Sequence, residues 1–278
     1  CVGDGYTRQC SSPGRPGQVA CIAVWWRCIH SSSACSLQRR AAFGPSIRAA
    51  VRLPPGMQWA YIPAPPRAPG PHPPPVRPTR PQEALVAISC GGVWRTEDGG
   101  GAWALEGEGL YADYMPGEKR TALAIQDPHA VRRCNAHPEV LWMQHHNGAF
   151  RSTDAGRTWV ELQVPPSAFG FPVVAHPTDP DTAWFVPAVK DECRVPVDGA
   201  VCVARTRDGG ASFEVLREGL PQTHAYDLVY RHALDVDADG GVLAFGSTTG
   251  SLYVSDDSGD HWVAVSPHLP PIYAVRFG

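Results

Sequence analysis

From Glu83 onward, short apolar runs alternate with polar, glycine-rich breaks, and the runs have the length of strands rather than helices. They fall into groups of four. One group is expected to place an inner strand near Ala130–Cys134, a second at Val140–His145, a third at Ala149–Ser152 and a fourth from Trp159 to Leu162. The next reads Phe171–Ala175, Thr182–Pro187, Val201–Thr206 and Phe213–Leu216. After it come Tyr226–Asp235, Val242–Ser247, Leu252–Ser255 and Trp262–Val265. An earlier, shorter group supplies Ala84–Cys90, Val93–Thr96 and Trp103–Leu105, and Pro271–Phe277 reads as one more inner strand.

The break between the third and fourth strands is written four times. Its pattern is Ser/Thr, any residue, Asp, any residue, Gly, two further residues and an aromatic. The copies run Thr96–Trp103, Ser152–Trp159, Thr206–Phe213 and Ser255–Trp262, at start-to-start spacings of 56, 54 and 49 residues. The aspartate carboxylate accepts hydrogen bonds from N–H groups of its own turn, and the hydroxyl does so more weakly. The glycine takes a positive φ that a tight hairpin demands. The aromatic opens the next strand and has a ring to bury between neighbouring units. A hairpin recurring at about 50 residues marks a radial or stacked all-β array.

This pattern resembles the Asp-box, or BNR repeat, of sialidase-like and glycosyl-hydrolase-like β-propellers, over about residues 82–278. The residues after Leu85 look most like a bacterial Asp-box group. The resemblance implies an all-β fold: a partial β-propeller of four-stranded blades, preceded by a proline-rich irregular segment. It also implies that Asp98, Gly100 and Trp103, Asp154, Gly156 and Trp159, Asp208, Gly210 and Phe213, and Asp257, Gly259 and Trp262 are structural. Function is less constrained, because Asp-box propellers include sialidases, xyloglucanases, receptors and assembly factors.

Composition divides the 278 residues in two. Residues 1–82 hold ten Arg, no Lys and one acid, Asp4, and five of the nine Cys lie in the first 35 positions. Twelve prolines fall between Pro54 and Pro81, which bars that stretch from a sheet interior. Such a composition is also what a GC-rich gene gives when read out of frame. Residues 1–82 are therefore expected to be irregular and non-native, and residues 83–278 to be the propeller. The cysteines show no Cys-x-x-Cys pair, and the arginines are not interleaved with aromatics as in a nucleic-acid module. No nucleic-acid or membrane partner is expected. No signal peptide or spanning helix is visible, and the expectation leans towards the cytoplasm.

In an antiparallel blade, the repeated turns lie at the end opposite the second-to-third loops and the blade-to-blade loops. Those other loops are where candidate chemistry gathers. Asp127, Tyr226 and Asp227 are the candidate catalytic groups, because a glycosidase needs carboxylates about 5–10 Å apart across its cleft. His129, His145, Asn147, His224, Arg231, Arg276, Lys190 and Arg194 are the candidate ligand-binding residues. Asp191, Glu192, Arg132 and Arg133 lie beside them, although the Arg-Ile-Pro motif of sialidases is missing. His145 and His146 are adjacent on a strand and point to opposite faces, so only one of them can join a shared site. No metal and no cofactor is expected. Three readings stay open: a glycan- or protein-binding module, a glycoside hydrolase of exo-sialidase-like or xyloglucanase-like type, and an assembly or scaffold factor.

Overall fold

The computed structural model describes residues 22–24, 76–77 and 80–277, with side chains from Gln82 to Phe277. The expectations for the rest of residues 1–82 lie outside the described residues. Strand β1 (Ile22–Val24) pairs antiparallel with the last strand, β18 (Val275–Phe277). Between them the chain lays down four antiparallel four-stranded sheets in sequence order. The first holds β2 (Val76–Arg77), β3 (Arg80–Ile88), β4 (Gly92–Thr96) and β5 (Ala104–Glu106). The second holds β6 (Pro128–Arg133), β7 (Leu141–His145), β8 (Ala149–Ser152) and β9 (Val160–Leu162). The third holds β10 (Gly170–Ala175), β11 (Ala183–Pro187), β12 (Val203–Thr206) and β13 (Glu214–Leu216). The fourth holds β14 (Leu234–Val236), β15 (Leu243–Gly246), β16 (Leu252–Ser255) and β17 (Val263–Ser266).

Inner strands meet inner strands: β10 packs against β6 and β14, and β14 against β18. Second strands are sandwiched between neighbouring sheets, so β7, β11 and β15 are buried at every position. Their sequences are nearly unbroken apolar runs for that reason. Fourth strands form the outer rim, and there Val160 and Val263 are exposed. This is a β-propeller arrangement.

Two sequence expectations change. The expected three-stranded first group has a fourth strand, β2, and β3 begins at Arg80. The expected long strand Tyr226–Asp235 shortens to Leu234–Val236. The earlier part of that stretch bonds to loops, Ala225 N–H to Gly199 O and Thr248 N–H to Leu228 O, and only His232 and Ala233, next to β14, accept from the strands β18 and β15.

The four repeated turns are built alike. The Ser/Thr hydroxyl of Thr96, Ser152, Thr206 or Ser255 donates to the aspartate two residues on, at 2.8–2.9 Å. The same hydroxyl accepts the N–H of Gly100, Gly156, Gly210 or Gly259, at 2.8–2.9 Å. The aspartate then accepts the N–H four residues ahead of it, from Ala102, Thr158, Ser212 or His261, at 2.9 Å in each case. Burial alone would raise the Asp154 carboxyl, but the N–H and hydroxyl of Thr158 and the hydroxyl of Ser152 outweigh it and hold it low. Gly156 sits at φ +90, and a Cβ there would come within 2.5 Å of Leu85 Cδ1 in the preceding sheet.

The aromatics that close these turns pack backwards. Trp159 joins Leu85 of the first sheet, Phe213 packs with Trp142 and Leu162 of the second, and Trp262 packs with Trp184 and Leu216 of the third. Trp103, in the first sheet, is half-buried. A second link runs forwards. Arg151 on β8 donates to Gly209 O at 3.2 Å, and Arg205 on β12 donates to Ser258 O at 2.8 Å. Gly209 and Ser258 hold the same position in successive turns, so each arginine clasps the turn of the next sheet. Arg205 also pairs with Asp260 of that sheet at 2.7 Å.

Candidate functional site

Two β-bulges shape the face opposite the repeated turns. Along β6, Pro128 pairs with His145 but Ala130 pairs with Gln144, so His129 is one residue in excess of its partner strand. Along β10, Gly170 pairs with Pro187 and Val173 with Phe185, again one residue in excess. A bulge turns its extra side chain away from the regular alternation. Here it brings His129 and Phe171 together, stacked with ring centroids 4.6 Å apart.

Asp127 is the hub of the group. It is buried, and its backbone N–H donates to His145 Nε2 at 2.9 Å while its carbonyl accepts the His146 N–H at 2.9 Å. Its Oδ1 accepts the Ser89 hydroxyl and the Cys90 N–H. Its Oδ2 faces His146 Nδ1 at 3.4 Å and His129 Nε2 at 4.0 Å. Burial alone would raise this carboxyl. The Ser89 hydrogen bond and the fields of His129, His146 and Arg231 prevail and hold it below the usual carboxylate range. His129 Nδ1 lies 2.7 Å from Gly170 O, an acceptor that fixes the proton on Nδ1. Burial, then the Arg231 charge, pushes His129 down to about 3, and burial takes His145 to about 4, so both rings are neutral near pH 7. Among the described residues, Asp127, His129 and His146 are the group whose donor atoms converge closely enough to hold a metal ion, all within 4.8 Å of one another.

An aromatic and cationic rim adjoins this hub. Phe169 meets His129, His146 and Phe171 edge-on. Tyr230 leans on Phe171 at 5.4 Å and stacks on Tyr273 at 5.7 Å. The guanidinium groups of Arg194 and Arg231 each lie 5.4 Å from the centre of the Phe171 ring. Tyr114 meets His146 edge-on at 4.9 Å.

The structure therefore joins Asp127, His129, His145, Arg194 and Arg231 into one neighbourhood. Asn147 lies at its edge, where Oδ1 accepts the Asp113 N–H at 3.4 Å. Lys190 is exposed and faces Glu192 at 3.5 Å, and Arg194 is tied to Asp191. Tyr226 is exposed, and His224 is an exposed loop residue at φ +54. Asp227 turns inwards, where its Oδ1 accepts the hydroxyls of Ser247 and Thr249. Arg276 donates to His232 O at 3.0 Å and lies 3.2 Å from His232 Nδ1. Burial, then the Arg276 charge, lowers the neighbouring Arg132 to about 10. Ser89 and Tyr114 escaped the sequence reading. Ser89 sits in the short loop before β4, beside Cys90, so its place on this face was open to inference, whereas Tyr114 lies in a long irregular connection with no such signal.

No family model matches the chain, and no curated protein matches it. Solved structures do. An ancestral GH74 enzyme is similar at 15% identity and a TM-score of 0.50, over 66% of this chain and 22% of that one. The GH74 xyloglucanase from Xanthomonas campestris shares 18% identity at a TM-score of 0.48, over 70% and 30%. YCF48 from Cyanidioschyzon merolae shares 17% at 0.45, over 68% and 54%. The chain thus spans about a fifth to a half of the lengths of these proteins. At such identities the likeness concerns the fold: a β-propeller similar to that of glycoside hydrolases. Among the described residues, no helix is long and apolar enough to cross a membrane.

Proposed function

We propose that this chain is a binding propeller of the Asp-box kind that takes a glycan or a protein segment on the face bearing Asp127. The supporting observation is the stacked, partly exposed pair Tyr230 and Tyr273 beside Arg194 and Arg231. Flat aromatic faces accept a sugar ring or an aromatic side chain, and a guanidinium fork beside them binds a carboxylate in bidentate fashion. Lys190, Asn147, Tyr226 and His224 would supply the outer contacts. The Asp127 carboxyl is held low, which suits a charged binding group better than a proton donor. Screening of the folded chain against immobilised glycans and peptides tests this reading. A ligand should emerge whose affinity falls at least tenfold on Tyr273→Ala and on Arg231→Ala.

The hydrolase reading retains Asp227 and Tyr226 as its candidates and predicts turnover of chromogenic glycosides that Asp227→Asn abolishes. If the chain turns over no glycoside and binds a single protein with no glycan, the scaffold reading takes its place.

A further inference from the structure

We propose that Asp127, His129 and His146 form a site for a divalent first-row transition metal, with one coordination position left to water or an incoming ligand. The spacing carries the argument. Oδ2 of Asp127 lies 3.4 Å from His146 Nδ1 and 4.0 Å from His129 Nε2. Those gaps exceed the roughly 2.7–2.9 Å of a charge-assisted imidazole–carboxylate hydrogen bond. They suit two donors on one ion. With all three atoms within 4.8 Å of one another, the point equidistant from them lies about 2.4 Å or less from each. Zinc bonds to His nitrogen and carboxylate oxygen are about 2.0–2.2 Å, so side-chain shifts of a few tenths of an ångström close the shell.

The surroundings hold each donor in the orientation a metal requires. His129 donates Nδ1–H to Gly170 O at 2.7 Å, the backbone-carbonyl support that metal-binding imidazoles characteristically have, and so presents Nε2 to the carboxylate. Asp127 is oriented by Ser89 and Cys90 through Oδ1, which turns Oδ2 towards the two rings. His146 is fixed at its backbone by Asp127 O, and its ring is braced by Tyr114 and Phe169. Arg231 lies over the Phe171 ring and, among the described residues, makes no direct ion pair with Asp127. Two imidazoles and one carboxylate are the donor set of open sites for zinc or iron(II). The His146 side chain is 23% exposed, so the open position faces solvent on its side. The inference is independent of the glycan-binding reading, because it is measured with metal alone.

The test uses the full, untagged chain, stripped with a chelator and titrated with Zn²⁺ against a chromophoric competitor. Co²⁺ is titrated in parallel and its visible d–d bands recorded. The wild type should bind one equivalent more than the Asp127→Asn/His146→Ala double variant, which retains any zinc held elsewhere on the chain. His146→Ala should remove the Co²⁺ bands, and Ser89→Ala, which loosens only the support of Asp127, should weaken Zn²⁺ binding about tenfold. His137→Ala, at the surface beside Glu139, should bind as the wild type does. Because His129→Ala also removes a buried stacked ring, the partly exposed His146 is the deciding variant, with folding verified by circular dichroism. Equal zinc stoichiometry in wild type and folded double variant overturns the proposal, and so does unchanged Co²⁺ absorption in His146→Ala.

Discussion

The backbone N–H of Asp127 donates to Nε2 of His145 across 2.9 Å, tying the linker that enters the second sheet to the end of that sheet's second strand. His145 is fully buried, so this N–H has no water to turn to if the imidazole is removed. His145→Leu should cost about 2 kcal/mol, from the unpaired donor and the lost edge contact with Phe150. A shifted urea midpoint with an unchanged slope is the expected signature. An unchanged midpoint counts against the role given to this bond.

The repeated turns should matter to stability alone. Asp154→Ala removes the acceptor for the N–H groups of Arg157 and Thr158 and for the hydroxyls of Ser152 and Thr158, at about 1 kcal/mol for each bond. Trp159→Ala should cost about 3–5 kcal/mol, because the indole is buried against the first sheet. Gly156→Ala combines a positive φ with a clash against Leu85 and should destabilise as well. Ligand affinity of the variants that remain folded is expected to equal that of the wild type, as read by calorimetric titration below their melting temperatures.

Asp227 separates two readings with one substitution. Its hydroxyl partners, Ser247 and Thr249, make it a candidate strut for the loop between β15 and β16. Asp227→Asn keeps the shape, loses the charge-assisted bonds and should cost about 1–2 kcal/mol. If thermal melting is unchanged while a glycoside turnover disappears, the catalytic reading gains and the strut reading fails.

Acid should weaken the chelator-treated protein before it reaches the carboxylate range. Burial, then the charges of Arg132, Arg276 and Arg231, lowers His232 to about 4. In the unfolded chain the same ring titrates near its ordinary value of about 6.5. The folded state then binds fewer protons between those values, so stability falls as pH drops below about 6.5 and stops falling from this cause below about 4. Near pH 5.5 one such histidine contributes a loss of about 1 kcal/mol. His145 is shifted in the same direction. Melting temperatures taken from pH 7.5 to 5 in the wild type and in His232→Gln should converge as the pH falls.

Much of the fold is legible in the residues because its determinants are local. The hairpins announce themselves through Ser/Thr, Asp and Gly, and the strands Ala149–Ser152 and Leu252–Ser255 run between the residues that the alternation indicates. Tyr226–Ala233 misleads because its apolar residues serve packing: Leu228 joins Phe169 and Phe171 in a buried cluster without belonging to a ladder. The candidate site was legible by neighbourhood and not by geometry. Strand alternation separates His145 from His146, and in the structure His145 meets the backbone N–H of Asp127 whereas His146 faces its carboxylate. The bulge at His129 leaves no mark in the sequence, yet it decides which way that ring faces. The arginines that matter for architecture, Arg151 and Arg205, were hidden for the same reason, since their partners lie 58 and 53 residues further along.

Those two arginines have a consequence for how the molecule comes apart. Arg205 is 3% exposed, and its partners Ser258 and Asp260 belong to the following sheet. If the fourth sheet unfolded alone, the guanidinium would lose both and keep only the Glu214 carboxylate of its own sheet. A buried guanidinium stripped of its partners in the next sheet loses charge-assisted hydrogen bonds, so partial unfolding is penalised at each such boundary. The aromatics packing backwards and the arginines reaching forwards penalise the same event from opposite sides. Heat or denaturant should therefore melt the second, third and fourth sheets in a single cooperative transition, seen as one coincident sigmoid by tryptophan fluorescence and by circular dichroism.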